Sequence, residues 1–374
     1  MESTEINKGK ILIVLPNMPF YRREFFYKLN NSISDNIKII HGINNSKKIL
    51  SDNKPYKGLN LVGQKVLSLR ILNLTISWQI GLITYFLKNW PDKIVIMLHT
   101  GRVNQLLLLL FCLLTKKKYV IWGSCYQRVE LSNAINKLKH RIKFFFEKRS
   151  SSYIVYGNKA KKYLIDSGYD KSIYVAQNTI NVERIISKLK NSTSFNKSNF
   201  QLIYVGALTK TKKLETLINC IVKLKKSNSN FHLNIIGDGP YKKYLYEMVV
   251  DLNLTNFISF KGSLFGADLA KYFSNSDIFI LPGTGGLAVN EAMAYGNIII
   301  STEGDGTISD LVYDNINGQL IDYDISSDEL EIILKKFLNF KKSKINLMKK
   351  NSKNLILKNA SLENMVINFK KALI

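Results

Sequence analysis

Short runs of apolar residues alternate along the chain with longer segments in which apolar residues recur every three or four positions. The short runs predict buried strands of the parallel type, at residues 10–15, 37–41, 59–67, 93–99, 118–122, 152–156, 173–178, 201–205, 232–236, 258–261, 279–281, 298–301 and 318–321. The longer segments predict helices, among them residues 24–29, 77–88, 105–115, 136–149, 158–167, 213–226, 241–252, 269–275, 308–313, 327–339 and 342–354. This alternation predicts an α/β chain with doubly wound parallel sheets.

A polar stretch at residues 188–198 interrupts the alternation, which restarts after it. A chain of 374 residues is long enough for two domains that each have a core. We therefore expect two Rossmann-like domains, residues 1–185 and 200–345, joined by a linker at 186–199. A C-terminal helical segment at 346–374 would follow, with packing back on the first domain as one arrangement. Two such domains facing each other leave a cleft, the usual place for a ligand.

Residues 279–296 form the most informative stretch of the sequence. They predict a buried strand, a glycine-rich turn and a helix that stops at Gly296, and the apolar run at 298–301 completes a βαβ element. Glycines at 283, 285 and 286 allow the backbone to approach a ligand closely. The helix start behind them offers free N–H groups and a positive dipole end to an anion. The hypothesis that follows is a site for a nucleotide diphosphate.

The net charge of +26 points to nucleic acid, anionic lipid or a phosphorylated ligand as a partner. The same charge also follows from a sequence rich in Lys, Asn and Ile, as an AT-rich genome produces without any functional reason. Only eight of the 54 basic residues are arginines, which argues against base-reading DNA recognition. Nucleic acid is therefore not the expected partner.

The location expected from the sequence is the cytoplasm or the inner face of the cytoplasmic membrane. Cys112, Cys125 and Cys220 are far apart and predict neither a disulfide framework nor a zinc site. The longest apolar run, residues 106–114, is shorter than the roughly 20 residues that a membrane span needs. The polar residues 1–10 lead into a strand, so we expect no signal peptide.

The predicted helix at 136–149 combines many basic residues with apolar and aromatic ones. One interpretation is an interfacial helix that lies on an anionic leaflet. The other is a solvated helix that packs its aromatic side on the first domain. The composition alone favours neither.

The second half resembles the retaining nucleotide-sugar glycosyltransferases of family 4, which have the GT-B fold. The motifs that carry the resemblance occur in the family's order, over roughly residues 150–325: YVGAL with Lys212, IIGDGP at 235–240, FKG at 260–262, DIFILP at 277–282, NEAMAYG at 290–296, and the segments 306–312 and 317–318. The N-terminal half matches only weakly. Any one of these motifs is a weak signal, and their common order makes the resemblance specific.

The resemblance implies a site for a nucleoside diphosphate sugar in the second domain. It implies that the Glu291 carboxylate accepts hydrogen bonds from the ribose hydroxyls. It implies that Lys212, as the catalytic charge, binds the diphosphate together with backbone N–H groups. The other nucleotide-binding positions that it implies are Gly206, Leu264, Gly285, Gly286 and Leu287. No metal and no cofactor beyond the co-substrate are expected, and the Asp322–Asp324 spacing is interpreted as a solvated turn.

Three positions depart from the family pattern. Gly283 stands at the first position of the Glu-x7-Glu spacing, Ala207 where an arginine is usual, and Ser124 in a loop where relatives often have a histidine. On the acceptor side we expect Tyr21, Arg22, Ser124 and Arg128. His99 follows a strand directly and is a second catalytic candidate, although a lone histidine is more often structural.

These observations lead to an expected function. The protein would transfer a sugar from a nucleoside diphosphate sugar, UDP rather than GDP, to a glycan or a polyprenyl-diphosphate-linked glycan, with retention, in bacterial surface polysaccharide synthesis such as O-antigen or capsule. An anionic membrane surface would be a peripheral partner. Two alternatives stay open: a catalytically impaired nucleotide-sugar-binding protein, and, more distantly, a basic nucleic-acid-binding protein.

Overall fold

The computed structural model describes residues 10–33, 36–43, 58–71, 74–123, 134–189, 199–226, 230–304 and 306–373. The chain divides into two compact units. The first contains Met1–Gln177 and Glu363–Ile374, and the second contains Asn178–Leu362.

Strands and helices alternate within the described residues. The strands are β1 (Lys10–Leu15), β2 (Asn36–Ile43), β3 (Asn60–Ile71), β4 (Leu74–Gln79), β5 (Lys93–Ile96), β6 (Tyr119–Gly123), β7 (Ser152–Val155), β8 (Ser172–Val175), β9 (Phe200–Val205), β10 (Phe231–Ile236), β11 (Ile258–Gly262), β12 (Ile278–Leu281), β13 (Ile298–Ser301) and β14 (Gly318–Leu320). The α-helices are α1 (Arg23–Ser32), α2 (Leu82–Asn89), α3 (Val103–Leu114), α4 (Ala134–Arg149), α5 (Asn158–Asp166), α6 (Val182–Leu189), α7 (Leu214–Lys226), α8 (Lys242–Asp251), α9 (Gly266–Asn275), α10 (Leu287–Tyr295), α11 (Ser327–Leu338), α12 (Lys342–Ala360) and α13 (Leu362–Lys371).

The first unit is built on an eight-stranded sheet in the order β4-β3-β2-β1-β5-β6-β7-β8. All neighbours are parallel except the antiparallel pair β3 and β4. Residues 11–15 of β1 are all buried, as expected of a central strand covered on both faces. One buried cluster joins apolar residues of α2, α3, α4 and α5 to the strands, so these helices cover the same face of the sheet.

The second unit has a six-stranded sheet in the order β11-β10-β9-β12-β13-β14, and every pair is parallel. A single buried cluster draws on its strands and on helices α6 to α12. In each sheet the first strand along the chain lies in the interior. The strands that follow it are added first on one side of it and then on the other, which is the doubly wound arrangement. The fold predicted from the sequence, two doubly wound Rossmann-like domains, is confirmed.

The boundaries between the units differ from the predicted ones. The segment 186–199 begins inside α6, whose apolar residues Val182, Ile185 and Ile186 pack on the second unit's core. The predicted C-terminal segment 346–374 consists of the end of α12 and the whole of α13. Phe369 of α13 packs on Trp122 at 4.8 Å and on Phe25 at 5.2 Å between ring centroids, within the first unit.

Two local predictions are wrong. Residues 77–79 belong to β4 rather than to a helix, because residues 74–79 pair with β3 and Gly81, at a φ of +86°, delays the start of α2 to Leu82. Residues 308–313 contain only a 3-10 turn, Ile308–Asp310. Among the described residues, none of the helices has the length and apolar character needed to cross a membrane.

Candidate functional site

The loops of interest in the second unit follow β9, β12 and β13. These strands are neighbours and parallel, so their carboxyl ends lie at one edge of the sheet. In open α/β sheets this edge is where ligands bind. The glycine loop, residues 282–286, follows β12, and the 3-10 turn Lys210–Lys212 follows β9.

The 3-10 turn packs directly on the glycine loop at Gly283. The Thr284 N–H donates to the Thr211 carbonyl at 3.1 Å. A Cβ atom at position 283 would overlap the Thr211 carbonyl oxygen and lie 2.5 Å from the Lys212 Cα. Glycine is therefore the only residue that fits here without a backbone shift. Any carboxylate at this position would require the turn to move.

A Gly283→Ala substitution is expected to destabilise the second unit by about 1–3 kcal/mol, because the added methyl group meets backbone atoms that cannot rotate away. Urea unfolding of the variant would measure this change. Gly123→Ala is the matched control, since a Cβ there has no atom within 4 Å. Equal stability of both variants and the wild-type protein would contradict the packing argument.

The glycine loop is also fixed from the side of β13. The Thr302 hydroxyl donates to the Gly283 carbonyl at 2.7 Å. Gly304 has a φ of +61°, and a Cβ there would overlap the Gly285 carbonyl oxygen. Contacts from both neighbouring loops hold the backbone in place, which suits a loop whose amides recognise a ligand.

The Lys212 ammonium lies on the glycine loop and donates to the carbonyl of Thr284. Its neighbour Lys213, at a φ of +50°, is directed elsewhere: its Nζ lies 2.6 Å from Asp324 Oδ1 and 2.6 Å from the Tyr323 carbonyl. Lys212 is therefore the lysine that contacts the glycine loop. Asp324 is thus an exposed carboxylate in an ion pair with Lys213.

Helix α10 begins at Leu287, directly after Gly285 and Gly286. Its N-cap residue, Gly286, has no side chain to bond the first N–H groups. The Val289 N–H donates back to the Gly286 carbonyl at 2.9 Å, which leaves the N–H groups before it and the positive end of the helix dipole to an anion. The order of loop, helix start and carboxylate agrees with the order predicted from the sequence.

Glu291 lies at the second turn of α10 and is mostly buried. Burial raises the pKa of its carboxyl to about 7. Among the described residues its carboxylate makes no hydrogen bond or ion pair. The adjacent Asn290, by contrast, is buried and donates to the Asn178 carbonyl at 3.0 Å. Asn290 thus ties helix α10 to the chain at Asn178. The Glu291 carboxylate keeps its acceptor capacity at the edge of the sheet where the strands end.

The remaining predicted positions of the second unit lie around this edge. Gly206 follows β9 and donates its N–H to the Ile236 carbonyl at 3.0 Å, while Gly237, at a φ of +140°, fits against it only as glycine. Leu264 follows β11, two strands from β9, and packs partly buried on the core. Gly206, Lys212, residues 285–287 and Glu291 thus follow adjacent strands, and Leu264 lies further along the edge.

In the first unit, Arg22 is buried rather than part of an exposed loop. Its Nη2 donates to the Tyr156 hydroxyl at 2.6 Å, and its Cζ lies 4.5 Å above the Trp122 ring. Tyr156 directly follows β7 and Trp122 lies in β6, so the guanidinium lies at the carboxyl ends of these strands. The adjacent Tyr21 is partly buried. Neither aromatic partner of Arg22, Tyr156 or Trp122, was among the site residues predicted from the sequence.

His99 follows β5 at the same edge of the first sheet. Burial lowers the pKa of its imidazole, and the positive charges of Arg102, Lys139 and Lys143 lower it further. The ring is therefore neutral at neutral pH, and within the described ranges it makes no hydrogen bond. Sequence reasoning missed Arg102, which donates to Gln79 Oε1 at 2.9 Å and to the Pro16 carbonyl at 2.6 Å.

Three positions from the sequence predictions, Ser124, Cys125 and Arg128, lie outside the described residues. Among those described, no group of three or more His, Cys, Asp or Glu side chains is placed to hold a metal ion.

Comparison with known proteins identifies relatives of the second unit. Residues 186–355 match the family model "Glycosyl transferases group 1". A GDP-mannose-dependent alpha-mannosyltransferase of Corynebacterium glutamicum is 37% identical over 122 residues, which cover 32% of this chain and 27% of that protein. The alpha-monoglucosyldiacylglycerol synthase of Acholeplasma laidlawii is 26% identical over 198 residues, which cover 50% of each chain. The match therefore spans half or less of these relatives' length.

Among solved structures, Anabaena HepE in complex with UDP has a TM-score of 0.71 and 16% identity. The match covers 97% of this chain and 99% of that one. At this level of identity the likeness shows a shared fold.

Proposed function

We propose that this chain, whose residues 186–355 match the family model "Glycosyl transferases group 1", is a member of that family that transfers a sugar from a nucleoside diphosphate sugar to a glycan acceptor. The proposal rests on the environment of the Glu291 carboxylate. This carboxylate is mostly buried, has a raised pKa and no partner in the described chain, and lies in the second turn of a helix that follows a glycine loop. Such a group is suited to accept hydrogen bonds from a ligand.

The nucleotide end of the donor would supply those donors. We assign the ribose hydroxyls to the Glu291 carboxylate, because two O–H groups can satisfy one ionised carboxylate. Gly206 and Leu264 lie along the same sheet edge and would contact the rest of the nucleoside. We assign the diphosphate to the amides of residues 285–287 and to the Lys212 ammonium, which already contacts that loop.

The catalytic contribution would be electrostatic. As the bond between sugar and diphosphate breaks, negative charge develops on the leaving nucleotide. Lys212, the loop amides and the dipole of α10 are fixed in position to stabilise that charge. No covalent step on the protein is required, and no metal or cofactor is proposed.

The proposal also specifies the donor sugar nucleotide, the acceptor and the stereochemistry of transfer. We propose a UDP-sugar, supported by HepE, which has the same fold and holds UDP. The corynebacterial relative is named for GDP-mannose, so GDP-sugars are the alternative donors. We propose retention of configuration and an acceptor glycan of a bacterial surface polysaccharide, carried on a polyprenyl diphosphate at the inner face of the cytoplasmic membrane.

The acceptor would be bound by the first unit. His99 is neutral at pH 7 and can accept a proton from an acceptor hydroxyl. Arg22 holds the carboxyl ends of β6 and β7 together, so it would position this edge, and Tyr21 is partly buried beside it. Ser124 and Arg128 are proposed on the same side from the sequence alone.

A thermal-shift screen with UDP, GDP and their sugars tests the nucleotide site, because a ligand that binds the folded state raises the midpoint. Transfer assays with the same labelled sugars test the activity. Binding without transfer to any glycan would replace the proposal with a catalytically impaired binding protein. Retention on DNA that nucleotide sugars do not relieve would favour the nucleic-acid alternative.

Nucleotide affinity is expected to depend on pH near 7. The ribose hydroxyls would bind the ionised carboxylate of Glu291, so protons compete with the nucleotide. Since the pKa of the free carboxyl is raised to about 7, affinity should be full above that pH and fall by up to about tenfold per unit below it. Calorimetric titration with UDP from pH 6 to 8.5 would measure this. Glu291→Gln is the control, because the diphosphate still titrates in that variant, and an identical profile would contradict the assignment.

A further inference from the structure

Helix α4 presents an unusual solvent-facing surface. Ile135, Leu138, Ile142 and Phe145 follow one another at helical spacings of three or four, so they lie along one stripe. Their side chains are 50%, 58%, 36% and 44% exposed. A stripe of four large apolar residues on one helix is more than the scattered exposure that a soluble surface normally has.

The charges beside this stripe are all positive. Lys137, Arg141 and Lys148 are exposed and follow the neighbouring face at spacings of four and seven. The helix contains a single acidic residue, Glu147, which is buried. It accepts from the Tyr153 hydroxyl at 2.7 Å and pairs with Lys143 at 3.4 Å. The solvent-facing half of α4 thus consists of an apolar strip and a basic strip side by side.

The buried face of α4 fixes the helix on the first unit. Phe146 is buried in the cluster that covers one face of the sheet, and His140 Nε2 lies 3.0 Å from the Tyr163 hydroxyl of α5. These contacts hold the helix in one orientation. The first unit therefore cannot bury the exposed apolar residues by rotating α4. Helix α3 covers the same sheet face, has no charged residue and exposes Leu107, Leu110 and Leu114.

We propose that α4 is a docking surface for an anionic lipid bilayer, with the apolar strip entering the headgroup region and the basic strip binding lipid phosphates. An amphipathic helix that lies in the interface combines these two strips. This inference deepens the proposed function by naming the surface that would meet a lipid-carried acceptor. Lys139 and Lys143, on the half-buried side of the same helix, lower the pKa of His99, so α4 lies near the edge that we assign to the acceptor.

The charge pattern disfavours the other occupants. A second copy of this chain, docked face to face, would bring Lys137, Arg141 and Lys148 near their own equivalents and repel. A nucleic acid would use the basic strip but leave the apolar strip exposed. The Arg149 Cζ lies 3.7 Å from the centroid of the Phe145 ring and hinders stacking of a base on that face, while the side chain as a whole stays 44% exposed.

The test is sedimentation of the full chain with vesicles, in the absence of any nucleotide sugar. We expect binding to vesicles of phosphatidylglycerol mixed with phosphatidylcholine, weakened by salt, and little binding to phosphatidylcholine alone. Leu138→Glu should reduce binding at least tenfold. Leu347→Glu on α12 is the matched control, because Leu347 and Leu138 are both 58% exposed and the charge change is the same.

The basic strip is tested separately. Replacing Lys137, Arg141 and Lys148 by glutamine should weaken binding about 100-fold, since each basic residue near an anionic surface contributes about fivefold. Glutamine at Lys342, Lys344 and Lys350, all exposed on α12, changes the net charge equally and should weaken it far less. All variants must keep the wild-type circular dichroism spectrum and thermal midpoint. If Leu138→Glu does not fold, the glutamine replacements of the basic strip still test the proposal.

Four results would overturn the proposal: equal binding to neutral and anionic vesicles, equal loss in the α4 variants and their α12 controls, a lipid-free dimer that Leu138→Glu dissociates, or preferential retention on DNA. None of these readouts depends on sugar transfer. Failure of transfer with intact vesicle binding would reject the proposed activity and leave the docking surface standing.

Discussion

Replacing Glu291 by glutamine is expected to raise the Kd for the donor nucleotide by about 100-fold or more. A hydrogen bond to a charged group contributes about 1.5–3 kcal/mol, and we assign two such bonds from the ribose to this carboxylate. Glutamine keeps the size of the side chain but loses the charge and one acceptor. Isothermal titration with UDP and GDP at pH 8, where the carboxylate is ionised, would measure the loss.

The same substitution should make the folded protein more stable. The pKa of the Glu291 carboxyl is raised to about 7 by burial, so the folded state disfavours ionisation. Stability is then full at low pH and decreases as the pH rises from the unfolded pKa to the folded one, by on the order of 2 kcal/mol for a partly exposed group. A neutral glutamine removes this cost at pH 8. Weaker nucleotide binding together with a higher melting temperature is a pair of results that simple misfolding cannot produce.

Glu247→Gln provides the control for this prediction. Glu247 lies on α8 of the same unit and forms an exposed ion pair with Lys243 at 3.8 Å. Its replacement should change neither nucleotide affinity nor stability by more than a few tenths of a kcal/mol. An unchanged Kd in the Glu291 variant would remove the central observation from the proposed function.

Lys212→Ala is expected to lower kcat by about 100- to 1,000-fold, with a smaller effect on KM. The reason is that its positive charge lies beside the amides proposed for the diphosphate, where charge develops only as the donor bond breaks. Steady-state kinetics with the best donor from the screen would separate the two constants.

Lys213→Ala is the matched control for Lys212. The two residues are adjacent and carry the same charge, but Lys213 is paired with Asp324. We expect less than a fivefold change in kcat for this variant. If Lys212→Ala raises KM and leaves kcat unchanged, Lys212 contributes only to ground-state binding and is not a catalytic residue.

The βαβ element at the centre of the site could be predicted from sequence because its determinants are local. Residues 278–281 and 298–300 are short, wholly apolar runs, and the glycines between them mark the turn. Strand β4 shows the opposite case: residues 74–79 are a strand because they pair with β3, and that pairing does not appear in the apolar pattern of residues 77–88.

The close contacts of the site could not be predicted, because their partners are distant in the chain. The sequence shows a glycine at 283, but the Thr211 carbonyl that excludes a side chain there lies about 70 residues earlier. The Arg22 guanidinium is held by Tyr156, which lies 134 residues later, so a loop that looks exposed in sequence is buried. The polarity of a segment predicts that it forms a loop but not what that loop packs against.

Helix α13 imposes an order on the synthesis and folding of this chain. Phe369 completes the aromatic core that Phe25 and Trp122 form in the first unit, and Lys370 donates to the Ser32 carbonyl at 2.6 Å. These residues emerge from the ribosome only after the whole second unit. The first unit therefore waits with an incomplete core while the second, whose sequence is continuous from 178 to 362, can fold as it emerges.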